Sequence, residues 1–153
     1  MPKIDIDSVE KHPSDFPGAL REQLQGRWRQ PLGDAVGLDQ FGVNLCTIAP
    51  GARSAFNHWH ESEDELIYVL SGNLVLVEGD TETPMGPGDA AGFKAGVAVG
   101  HHFENRSSET ALLLEVGTRA QGERCQYPGM DLLVETVNGT ARVTTLSGHP
   151  ITE

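Results

Sequence analysis

The chain has little cysteine. Cys46 and Cys125 are its only two, far apart and outside any CxxC arrangement, so neither a disulfide framework nor a thiolate zinc site is signalled and both read as free thiols. Basic residues are also scarce: 11 Lys and Arg stand against 22 Asp and Glu, a formal charge of -11, and no Lys/Arg cluster runs against that sign. Such a surface repels phosphate backbones and anionic membranes, which argues against nucleic acid or membrane partners. No apolar stretch approaches the roughly 20 residues of a membrane-spanning helix. The first residues, "MPKIDIDSVEKHPSDF", lack the basic and apolar regions of a signal peptide, so a reduced, cytoplasmic setting is expected.

What the sequence does hold is turn residues between short apolar runs. With 153 residues, 18 Gly and 9 Pro, it fits one turn-rich β domain rather than a helical bundle. Residues 1–40 read as an irregular N-terminal arm. In that arm "HPSDFPG" supplies turns, "ALREQLQG" a short helix ended by Gly26, and "QPLGDAVGLDQ" a loop. Residues 41–146 carry the strand signals "FGVNLCTI", "SAFNHWH", "ELIYVL", "NLVLVE", "DAAGF", "HHFEN", "TALLLEVG", "DLLVETV" and "TARVTT", and 147–153 form a tail. Asn138-Gly139 in "VETVNGTARV" is the favoured pair for a two-residue type I′ turn, placing Val137 opposite Thr140, Glu135 opposite Arg142 and Val134 opposite Val143. "YVLSGNLVLV" and "LVEGDTET" read as two further tight turns in an antiparallel meander. So many short strands in one small domain predict a sandwich or closed barrel, either of which limits exposed edges.

The stretch "HWHESEDELIYVLSG", His58 to Gly72, carries the chemistry. On a helix His58 and His60 would stand roughly 200° apart, whereas on a strand they share one face about 7 Å apart. Glu65 has the wrong parity for that face on one straight strand, so a bend within "ESED" must bring it round onto the next strand. Two imidazoles and a carboxylate then converge from neighbouring strands, a setting for a first-row transition metal.

At this point the sequence resembles the cupin superfamily. The family pattern of His-x-His, four residues, Glu, six residues, Gly is matched by His58, His60, Glu65 and Gly72, with Gly51 as the preceding glycine at one residue more than the usual spacing. The second family motif is matched more loosely by "GDAAGFKAGVAVGHHFEN". Here Lys94 stands where the family usually has Pro and extra residues precede the histidines, while His101 and Asn105 keep the His-x3-Asn spacing. The resemblance implies an all-β double-stranded β-helix, or jelly-roll barrel, with a metal held by His58, His60, Glu65 and His101. Strand parity favours His101 over His102, because it puts apolar Phe103 on the same inward face, although a one-residue register shift would exchange them.

Other residues have plainer readings. Trp59 and Tyr68 alternate away from the ligands and read as outer-face or structural residues; Cys46 reads as core; His12 and His149 as exposed loop residues. Glu115, charged within an apolar strand, reads as face-exposed in preference to a partner of a ligand histidine. Beyond the four ligands no inward-facing acid or base stands out, and no catalytic residue is named. Fe, Mn, Ni, Co and Zn all suit such a nitrogen and oxygen donor set. The functions implied are an oxygenase, isomerase or lyase acting on a small oxygen-bearing metabolite, a non-catalytic module that binds or senses a small ligand, or a structural cupin without functional metal. A homodimer is expected, as in relatives.

Overall fold

A computed structural model describes residues 3–153, and no helix in it is long and apolar enough to cross a membrane. Twelve strands build the domain: β1 (Arg27–Pro31), β2 (Phe41–Ile48), β3 (Trp59–His60), β4 (Glu65–Ser71), β5 (Leu74–Glu78), β6 (Thr81–Met85), β7 (Ala90–Phe93), β8 (His101–Glu104), β9 (Ala111–Thr118), β10 (Gly122–Gln126), β11 (Leu133–Val137) and β12 (Thr140–Thr144). Among the described residues one α-helix, α1 (Gly18–Glu22), precedes them, with short 3-10 turns at Ile6–Ser8 and Asp34–Val36.

A five-stranded sheet in the order β1-β2-β9-β4-β7 forms one wall. The other wall is assembled from a four-stranded sheet, β12-β11-β10-β3, and a three-stranded one, β6-β5-β8. Single bridges from His58 to His101 and from Arg53 to Glu104 join these two pieces. The result is a jelly-roll barrel whose long strands alternate strictly. In β2, β4 and β9 the residues Cys46, Ile48, Ile67, Val69, Ala111 and Leu113 point inward and are buried, joined from the opposite wall by Leu74, Leu76, Met85 and Phe103. A second cluster of Leu24, Phe56 and Leu132, flanked by Phe16, Leu20 and Ile151, fastens the N-terminal residues and the tail to the barrel.

The predicted hairpin has the expected register, Val137 to Thr140, Glu135 to Arg142 and Val134 to Val143. Its turn residues, Asn138 at φ 49° and Gly139 at φ 81°, carry the two positive values a type I′ turn needs. Three expectations are corrected. "RWRQP" in the arm is strand β1, paired antiparallel with β2 from Arg27–Ile48 to Pro31–Asn44; Pro31 at its end and the nearby glycines masked its short alternation. "SAFNHWH" is strand only at Trp59–His60; His58 makes an isolated bridge to His101 and residues 54–57 are bends. The turn in "YVLSGNLVLV" does not close a hairpin, because β4 and β5 belong to different sheets and the chain crosses between walls there. Gly72 makes that crossing possible: its φ is +79°, and a Cβ would lie 2.7 Å from the Ala111 Cα. Strands β6 and β10 lie outside the predicted runs. "TETPM" is too polar and "GERCQ" too mixed to show a strand period.

Candidate metal centre

The predicted bend lies between β3 and β4, and a buried carboxylate on β10 organises it. Glu123 accepts hydrogen bonds from the backbone N–H groups of Glu61 at 3.0 Å and Ser62 at 2.9 Å. Asp64 is held in turn by Thr118, whose hydroxyl accepts its N–H, and by Ala95, whose N–H donates to its carboxylate at 2.8 Å. These contacts reset the side-chain parity between His60 and Glu65. The carboxylate of Glu65, at the start of β4, therefore meets the histidines instead of facing away from them.

Three ring nitrogens converge on one oxygen. From Glu65 Oε2 the distances are 2.9 Å to His101 Nε2, 3.6 Å to His60 Nε2 and 3.8 Å to His58 Nε2. The imidazoles are oriented by separate means. His58 Nδ1 lies 2.7 Å from the Phe56 carbonyl, which can only accept, so Nδ1 carries the proton and the Nε2 lone pair faces the cluster. His60 Nδ1 lies 3.4 Å from Glu123 Oε1, an electrostatic contact with the same carboxylate that shapes the bend. His101, only 2% exposed, is stacked on Phe93 with centroids 3.5 Å apart and planes 1° from parallel. His102 turns to the other face of β8, with Nε2 3.0 Å from Glu104 Oε1, so His101 is the histidine of the pair that faces the cluster. Asn105 is a turn residue here: its amide donates to the carbonyls of Ile48 and Glu109.

The electrostatics follow from this crowding. Burial opposes ionisation of Glu65, but the hydrogen bond with His101 and the close approach of the His58 and His60 imidazoles outweigh it and hold the carboxyl well below its ordinary pKa. Burial likewise opposes protonation of His60, yet contacts with Cys125 and Glu65 raise its pKa to about 11. For His101 burial prevails and lowers the value despite Glu65. Two further groupings bring donor atoms within 4.8 Å of one another, His58 with His60 and Cys125, and His60 with Glu63 and Glu123.

The cluster lines a cavity of about 460 Å³ that also reaches Arg27, Arg29, Glu115 and Tyr127. A smaller one of about 240 Å³ touches His60 and His101 from the other side, beside Trp59 and Lys94. Glu115 corrects the expectation of an exposed residue. It is 8% exposed and faces the interior, where the Arg29 guanidinium donates to its Oε2 from Nη2 at 2.9 Å and Nε at 3.1 Å. The interior therefore holds charged groups beyond the four predicted ligands. Parity within "ALLLE" and "RWR" was the available signal, since Glu115 falls in step with Ala111 and Leu113, and Arg27 in step with Arg29. Tyr68 is exposed on the outer face and Cys46 fully buried in the core, as read; His12 and His149 are exposed.

A jelly-roll barrel with a histidine and carboxylate cluster in its interior defines the class of protein. Comparison with known proteins agrees: a cupin domain family matches residues 44–117. A sugar phosphate isomerase from a cupin superfamily, from Silicibacter pomeroyi DSS-3, shares 45% identity over 99% of this chain and 97% of its own, with a TM-score of 0.92. The chain belongs to the cupin superfamily. A protein from Acidithiobacillus ferrooxidans, provisionally described as a sugar phosphate isomerase, shares 33% identity over 83% of this chain and 81% of its own, TM-score 0.72. The polyketide cyclase RemF of Streptomyces resistomycificus shares the fold, at 23% identity, 95% and 85% coverage and TM-score 0.65. No curated protein matches the sequence.

Proposed function

We propose that this protein is a metal-dependent isomerase that binds one divalent transition ion through His58, His60, Glu65 and His101 and acts on a small oxygen-bearing metabolite. The observation that carries the reading is the convergence of three imidazole Nε2 atoms on one Glu65 oxygen inside a cavity large enough for a small substrate. The donors suit such an ion chemically. His58 is fixed in the tautomer that leaves Nε2 free, and Glu65 is held ionised. When bound, the ion supplies Lewis-acid polarisation of a carbonyl or hydroxyl oxygen.

The chain's own groups do the remainder. Phe93 holds the His101 ring, Glu123 holds both the bend and the His60 side of the cluster, and burial, followed by neighbouring Cys125, keeps the Tyr127 phenol protonated as a neutral donor in the cavity wall. Among the reaction classes open to such a centre, isomerisation is favoured by the relative from Silicibacter pomeroyi, a sugar phosphate isomerase similar over nearly the whole of both chains.

Pairing of two copies is part of the same reading. The outer face of the five-stranded sheet presents Leu66, Tyr68 and Leu70 to solvent, continued by Leu112, Leu114 and Val116 on β9. An apolar sheet face of this kind suits a homodimer interface.

The test is elemental analysis of protein purified without added metal, followed by isomer interconversion assays by NMR on a panel of small sugars and sugar phosphates. Near-stoichiometric transition metal that His60→Ala removes, with interconversion that fails in the same variant, is expected. Full occupancy in His60→Ala would sink the assigned centre, and metal without turnover on any substrate would leave a binding module in place of an enzyme.

A further inference from the structure

Two arginines enter the cavity from β1, and they differ in their partners. Arg29 is neutralised by Glu115 at 2.9 Å. Arg27, two residues earlier on the same face and only 6% exposed, has a buried Nε without a hydrogen-bond partner among the described residues. Glu115, the carboxylate that acts on it most, is already occupied by Arg29, and Asp15, the other, is exposed on the arm. A guanidinium desolvated in this way destabilises the fold unless a counter-charge arrives. Burial and then the adjacent Arg29 lower its pKa from the ordinary value, the electrostatic mark of a cation short of an anion. Folding alone has no use for such a residue, since an apolar side chain of similar size would fill the space at lower cost.

Arg27 shares its cavity with His58, His60, Glu65 and His101. A ligand with a metal-binding oxygen at one end and an anionic group at the other would meet both. We infer that Arg27 is the anion receptor of the cavity and takes the phosphate group of a phosphorylated substrate whose other oxygens face the histidine cluster. Phosphate is the anion of choice because a guanidinium offers forked donors to its oxygens and because the sugar phosphate isomerase that covers the whole fold acts on such a molecule. Arg27 thereby becomes a specificity-determining residue. Arg29 and Glu115, closed on each other, line the same cavity.

This inference rests on the proposed isomerase reading for its substrate, but its test does not depend on metal. The probe is inorganic phosphate, titrated calorimetrically into the full chain as purified, in wild type, Arg27→Met, Arg27→Lys and His60→Ala, with acetate as the comparison anion. Arg27→Met is expected to weaken phosphate binding by about tenfold or more, as loss of charge-assisted hydrogen bonds does. Arg27→Lys should lose less, and His60→Ala should stay within about twofold of wild type, since its defect lies at the metal end.

Thermal unfolding supplies a readout that a merely structural arginine would not give. Phosphate should raise the Tm of wild type and leave that of Arg27→Met unmoved, while Arg27→Met without phosphate should melt no lower than wild type. Retained phosphate affinity in Arg27→Met overturns the inference, as does acetate binding as tightly as phosphate, or no phosphate binding by wild type. A wild type that binds phosphate but holds no metal as purified would sink the metal centre alone.

Discussion

The two ends of the barrel interior are built from the same strands and differ in nearly everything else. Rows of residues facing one another across β2, β9 and β4 show the change step by step. Ile48 faces Ala111; the next row is Cys46, Leu113 and Val69; then come Asn44, Glu115 and Ile67; and the last row is Gly42, Gly117 and Glu65. Strand β8 makes the same passage, from Phe103 at the apolar end to His101 at the polar one. The apolar end is close-packed and stabilises the fold. At the polar end charges are held out of water, which costs stability and creates a place where an ion and an anionic ligand are worth binding. Chemistry therefore varies along the strand axis, while burial varies with residue parity.

That contrast can be broken at either end. Leu113→Ala, in the middle of the apolar end, should cost about 2–5 kcal/mol in urea unfolding and leave metal content per folded molecule unchanged. Less costly is Glu115→Ala, which strands Arg29 opposite nothing. About 1–3 kcal/mol is expected, below the value for a fully buried pair because a third of the Arg29 side chain is exposed. Adding Arg29→Met to that variant should return most of the loss, and a double variant as unstable as the single one would show that the pair contributes packing and not charge balance. His60→Ala should change metal-free stability by no more than about 1 kcal/mol while abolishing metal occupancy, so a large stability loss would mean that the polar end also supports the fold. The smallest stability effect, within about 0.5 kcal/mol, belongs to Leu66→Glu on the outer face. Its signature is in light scattering, where the proposed homodimer should give way to monomer; an unchanged mass would remove this face as the interface.

Several features were legible because they are local. His58 and His60 declare a shared strand face by their spacing, and the Asn138-Gly139 turn sets its register from the turn chemistry alone. Parity also separated His101 from His102, since Phe103 marks which side of β8 enters the core. Glu115 escaped because a carboxylate in an apolar run is ordinarily solvent-facing, and only β1 on the far side of β2 supplies its partner. Arg27 and Arg29 escaped for a related reason: a five-residue strand ending in proline, set among turns, carries too little periodic signal. Strand β10, with Glu123 and Cys125 bordering the cluster, became visible only through its pairing with β3.

By itself the sequence determined the all-β class, the family motif and the shared strand face of His58 and His60, because these depend on spacing along one strand and on side-chain polarity. Tertiary structure alone decided which inward residues meet: Glu65 with three histidines, Glu115 with Arg29, and Arg27 with an open cavity. The physical reason is that such partners come from strands distant in the chain, and their approach is set by how two walls close over a common core.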